Sequence, residues 1–102
     1  MIESTKFDMG KIYTTKRVHA TMKLDELFNA DVRSALEQYA NAEWGLTSKT
    51  GSALNNKAIL TGERIMATYA TCRGRIWIST ETLRHPEEPN RITSVMFPME
   101  YQ

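Results

Sequence analysis

Between Leu24 and Trp44 the apolar residues fall at Leu24, Leu27, Phe28, Val32, Leu36, Tyr39, Ala40 and Trp44. These steps of three and four line one side of an α-helix. A stripe of that size is not stable facing water, so the rest of the chain has to supply a second apolar layer. At 102 residues there is room for one modest core, and residues 1–102 read as a single domain. Hydrophobic residues make up 41% and charged residues 25%, a globular balance that argues against disorder.

The second layer reads as a sheet. From Ile12 to Ala20, Ile12, Thr14, Lys16, Val18 and Ala20 alternate with Tyr13, Thr15, Arg17 and His19, which predicts a strand. Lys16 on its apolar side suits an edge strand, where an inward charge discourages further pairing. Asn29, with Asp31 two residues on, reads as the N-cap of the main helix from Ala30, and Gly45 as its stop. After a loop over Leu46–Ser52, the residues Leu54, Ala58, Ile59, Ile65, Met66 and Tyr69 predict a second helix with Gly62 inside it. Glycine is unfavourable there, and close packing against another element accounts for it best.

Arg75–Thr82 sets Ile76 and Ile78 against Trp77 and Ser79, and Arg91–Phe97 is rich in β-branched residues, so both read as strands joined by a long hairpin loop. Pro98 closes the last one and leaves a tail to Gln102. The expected order is β-α-α-β-β: an α+β fold with a three-stranded, mainly antiparallel sheet and two helices packed on one face. Leu36, Trp44, Ile65, Trp77 and Ile78 are expected to share one core.

Charge and cysteine content narrow the function classes. Cys72 is the single cysteine, no leader-like segment opens the chain and no apolar run is long enough for a bilayer, so a cytoplasmic setting without membrane contact is expected. Net charge is only +1, too small for a global basic field. Charge instead alternates by segment. Met1–Lys23 carries five basic and two acidic residues, and Leu24–Thr47 one basic and five acidic.

His19, Cys72 and His85 are far apart in sequence, so neither a metal site nor a cofactor is expected. Arg73 and Arg75 beside Cys72 can activate its thiol, whereas a lone cysteine of this kind is ordinarily inert packing. No phosphate-binding glycine loop, nucleophile elbow or H-E-x-x-H motif occurs, so a non-enzymatic role is expected. Glu81 and Arg84, with Glu63 and Arg64, are the charged groups best placed to meet, as a structural ion pair or as the centre of a small hydrolase. Lys11, Tyr13, Lys16, Arg17 and Lys23, with His19, form a basic strip along the first expected strand and its exit. That strip can follow phosphates with Tyr13 stacked on a base, dock an acidic protein, or be solvated.

The residues Trp44-Gly45, Asn55, Ala58, Gly62 to Tyr69, Arg75 to Ile78, Thr80-Glu81, Arg84, Thr93 to Pro98 and Glu100-Tyr101 resemble a family of short uncharacterised proteins. That family is carried by plasmids, prophages and other bacterial mobile elements and is often labelled as restriction-modification components. The resemblance covers most of the chain after Asn29, and departs between Thr82 and Asn90, where His85-Pro86-Glu87-Glu88-Pro89 lengthens the hairpin. By analogy with such elements, it implies an inhibitor of the anti-CRISPR type that binds a CRISPR effector or restriction complex directly. Asp25, Glu26, Asp31, Glu37 and Glu43 on the acidic helix are then the expected contacts. The alternative is a nucleic-acid-associated accessory protein using the basic strip.

Overall fold

The computed structural model describes residues 2, 4–84 and 89–101. Its elements run β1 (Lys11–Thr14), α1 (Lys16–Leu24), α2 (Glu26–Ala40), α3 (Lys49–Thr61), β2 (Ile65–Thr71), β3 (Gly74–Arg84) and β4 (Pro89–Met96), followed by a 3-10 turn at Pro98–Glu100. The fold is α+β, but with three helices and a four-stranded mixed sheet in place of the expected two and three. Strand order is β1-β4-β3-β2, with β1 parallel to β4 and the other pairs antiparallel.

Three local features account for the differences. The expected strand Ile12–Ala20 divides at Thr15, whose hydroxyl accepts the Val18 N–H at 3.2 Å and starts α1. Val18, which a period of two also placed inward, is the buried residue of that helix. Next, α2 begins at Asp25 and not at Asn29. The Asp25 carboxylate accepts both the Leu27 and Phe28 N–H groups, at 3.0 and 3.1 Å, and so caps the helix four residues earlier than expected. That helix ends at Ala40, before Gly45.

Third, the expected second helix is α3 followed by β2. Gly62 is the C-cap of α3 in the left-handed region, with φ +79°. Nothing lies within 4 Å of the point a Cβ would occupy, so its freedom of backbone and not close packing explains the glycine. Beyond it, Ile65, Ala67 and Tyr69 are buried alternately with Met66, Thr68 and Ala70, the period of a strand. The β3–β4 connection is shorter than expected because Arg84 pairs with Pro89. His85–Glu88 lie outside the described residues.

The helices cover one face of the sheet. Tyr39, Phe28, Val32 and Leu36 from α2, with Val18 and Ala58, pack on Ile65, Ile76, Ile78 and Val95. Phe7 and Trp44 close this core around Tyr39, with ring centroids 5.5 and 5.6 Å from it. Trp77 is not part of it, contrary to expectation, because it lies on the opposite side of β3 from Ile76 and Ile78.

The free edge of β2 is sealed by side chains and by the backbone of the loop after α2. Asn55 of α3 donates to the Met66 carbonyl at 2.8 Å and accepts the Met66 N–H at 3.2 Å. Two residues on, the Thr68 carbonyl takes the Leu46 N–H and the Thr68 N–H goes to the Thr47 hydroxyl. These groups occupy the positions a further strand would use, which protects the edge from pairing.

Candidate binding surface on the helix-free face of the sheet

The face turned away from the helices is set by strand parity and register. Tyr13 of β1 lies across from Ser94 of β4, which lies across from Ser79 of β3. One rung away, Trp77 lies between Met96 and Thr68. Two strand spacings and two residues separate Tyr13 from Trp77, about 12 Å. Tyr13 is 50% and Tyr101 40% exposed, and Trp77 is half-buried.

Tyr101 reaches this face through the C-terminal turn. The Glu100 carboxylate accepts the Phe97 N–H at 2.9 Å and the Thr15 hydroxyl at 2.8 Å, which ties the turn to the start of α1. The next residue sets its ring edge-on to Trp77, centroids 5.3 Å apart. The Arg64 guanidinium lies 4.9 Å from the Tyr101 ring centroid, a cation–π contact that orders both groups. Exposed Arg75 shares the side of β3 that carries Trp77, and exposed Lys11 shares the side of β1 that carries Tyr13. Glu81 is the one described carboxylate on these strand positions. At the described strand positions of this face Lys11 and Arg75 stand against Glu81, and Arg64, just before β2, adds a further cation beside Tyr101. A groove of about 660 Å³ runs beside β1, lined in part by Phe7, Met9, Ile12 and Tyr13.

The basic strip expected from sequence is divided by this fold. Lys11 and Tyr13 stand on the helix-free face, whereas Lys16, Arg17 and Lys23 belong to α1, as does exposed His19. Arg17 points a guanidinium N–H at the Met99 sulfur, 3.1 Å away.

The acidic set is divided as well. Asp25 forms an ion pair with Arg73 at 2.7 Å, and Asp31 accepts the Cys72 N–H at 2.8 Å, so two of the five clasp the β2–β3 turn. The Arg73 hydrogen bond, then the Phe28 N–H, holds the Asp25 carboxyl below its ordinary value of 3.8. Glu26, Glu37 and Glu43 are exposed, with exposed Arg33 between the first two on α2.

Cys72 is exposed in the β2–β3 turn, not packed as expected. Desolvation, and behind it the Asp25 carboxylate, push its thiol up from the ordinary value against the weaker opposing effect of Arg73. A thiol of raised pKa is a poor nucleophile at neutral pH. Glu63 accepts the Thr61 hydroxyl, Arg64 lies on Tyr101 and Glu81 is exposed on a strand, so these charges do not meet as a pair. The Arg84 side chain lies outside what is described. No group of three or more His, Cys, Asp or Glu among the described residues is placed to hold a metal ion, and no described helix is long and apolar enough to cross a membrane.

Sequence reasoning missed Arg64, Arg75, Trp77 and Tyr101 as surface residues. The signal was present in Arg75-Ile76-Trp77-Ile78, whose alternation puts a tryptophan and an arginine together on the side away from the isoleucines. Several of the residues on which the expected resemblance rests have structural work to do. Asn55 seals an edge, Gly62 caps a helix, and a Cβ on Gly45 would come within 2.6 Å of the Thr68 carbonyl oxygen. The Tyr69 hydroxyl donates to the Glu43 carbonyl at 2.6 Å, and the Trp44 indole N–H to Asn56 at 3.0 Å. The chain matches no family model, and no curated protein or solved structure matches it to a significant degree.

Proposed function

We propose that this chain is a non-catalytic, nucleic-acid-associated accessory protein of a bacterial mobile element, acting in the cytoplasm through the helix-free face of its sheet. One observation carries this reading. Tyr13, Trp77 and Tyr101 lie on that face with Lys11, Arg64 and Arg75 around them, and among the described strand positions Glu81 is the one carboxylate there. Rings offer stacking surfaces and cations offer phosphate contacts, the combination used by proteins that bind exposed bases. The test is binding to oligonucleotides across a salt series. With about three phosphate contacts, log K should fall against log salt with a slope of roughly −2 to −3. Binding that ignores salt would refute this use of the cations.

A second reading keeps the anti-defence role: direct inhibition of a CRISPR effector or restriction complex by protein contact. It is favoured by the same face, since Trp, Tyr, Arg and Met are the residues enriched at protein interfaces, and by the resemblance to mobile-element proteins. Glu26, Glu37 and Glu43 remain available as rim contacts. Titration against a purified effector should then give complete inhibition near one domain per effector site. Inactivation by trace amounts over time would point to an enzyme instead.

A further inference from the structure

We infer that the helix-free face takes single-stranded nucleic acid in preference to duplex, with bases stacked on Tyr13 and on the Trp77–Tyr101 pair and phosphates held by Lys11, Arg64 and Arg75. This rests on the reading of that face as a nucleic-acid contact surface, and names the form of ligand it accepts.

Shape and charge together carry the inference. A duplex hides its base faces in the stack and presents only base edges within its grooves, which are read by an inserted helix or a two-stranded ribbon. Here all three helices pack on the other side of the sheet, and the contact surface is built from strand positions with one short 3-10 turn at its end. Against a convex duplex such a surface reaches phosphates alone and leaves its rings unused. A single strand frees its bases, and every base has a face that can lie on an aromatic ring.

The placement of the cations fits the same ligand. Arg64 and Arg75 flank the Trp77–Tyr101 cluster and Lys11 lies two residues from Tyr13, so charge borders both stacking positions. Two copies of this face would set Lys11, Arg64 and Arg75 against the same cations, which disfavours self-association through it. A polyanion is the complementary occupant.

The experiment measures binding of labelled oligo-dT and oligo-rU of roughly 12 nucleotides, a length suited to one small domain, beside a duplex of the same length. The two single strands separate DNA from RNA as the source of the shared chemistry. The expected result is that at least one single strand binds about tenfold or more tightly than the duplex. Tyr13→Ala and Arg75→Ala, both at exposed positions, should weaken that binding by about fivefold or more each, and Trp77→Ala by more, with circular dichroism to check that each variant folds. Lys23→Ala on α1 should leave it unchanged.

Duplex binding equal to single-strand binding would overturn this inference and leave the broader nucleic-acid reading standing. Equal losses from Lys23→Ala and Arg75→Ala would show diffuse charge attraction and overturn the site. No binding of either form at low salt would overturn the inference and the nucleic-acid reading together, leaving the protein-contact reading.

Discussion

Replacing Thr93 by valine should cost distinctly more stability than replacing Thr80 by valine, although the two are cross-strand partners and both fully buried. The reason is the direction of a buried hydroxyl chain. The Met9 carbonyl can only accept, so the Thr93 hydroxyl, 2.6 Å away, must donate to it. Thr93 has then spent its one proton and accepts from Thr80 at 2.7 Å, and Thr80 in turn accepts from the Tyr39 hydroxyl at 2.7 Å. Without Thr80, Tyr39 can turn to the Ile65 carbonyl at 3.4 Å and Thr93 keeps Met9, so no donor or carbonyl loses its last partner. That change should cost about 1 kcal/mol or less. Without Thr93, the Met9 carbonyl has no other hydrogen bond among the described residues, on a residue that is 5% exposed. An orphaned buried acceptor costs about 2 kcal/mol. In urea, with a slope of about 2 kcal/mol per molar, the two midpoints should differ by roughly 0.5 M. Equal midpoints, or a larger loss for Thr80→Val, would refute the assigned direction.

Leu36→Ala, at a position 6% exposed in the core, should lower stability by about 2 to 5 kcal/mol in the same assay, and an unchanged midpoint would show that this face of α2 is not buried. Asn55→Ala strips two hydrogen bonds from the Met66 peptide at the β2 edge and should cost about 1 to 3 kcal/mol, with faster amide exchange at Met66 as the local signature. Asp25 has a folded-state pKa held below 3.8, so its stabilisation is present above the ordinary value and is lost as pH falls through the folded one. An acid-unfolding profile measured below about pH 4 should therefore be flatter in Asp25→Asn than in the parent, and superimposable profiles would show that the Arg73 contact does not persist in solution.

How much of this was legible in the sequence differs by element. Phe28, Val32, Leu36 and Tyr39 follow from local periodicity and stand inward on α2, whereas Leu24 and Leu27 of the same expected stripe are 86% and 71% exposed. The alternation of β3 also stands, but it puts Trp77 outside the core in which it was expected. The alternation over residues 12–20 satisfies a strand and a helix alike, because one apolar residue, Val18, sits inward in either. Thr15 decides between them by capping. Ile65 and Tyr69 were assigned to a helix because their spacing from Ala58 allows it. The left-handed Gly62 makes the break, and a glycine tolerates helical and left-handed backbone without a sequence mark to separate the two. The candidate surface was half visible: Lys11 and Tyr13 were singled out, but with Lys16, Arg17 and Lys23, which belong to another element.

By itself the sequence determined the class of the fold, the inward residues of α2 from Phe28 to Tyr39 and the alternation of β3, because each depends on side chains a few residues apart along one element. The tertiary structure alone decided that β1 pairs in parallel with β4, Lys11 beside Ile92, and so that Tyr13 shares a face with Trp77. Such a pairing joins distant parts of the chain through backbone hydrogen bonds that any residues can make. Its register is chosen by what the completed core buries.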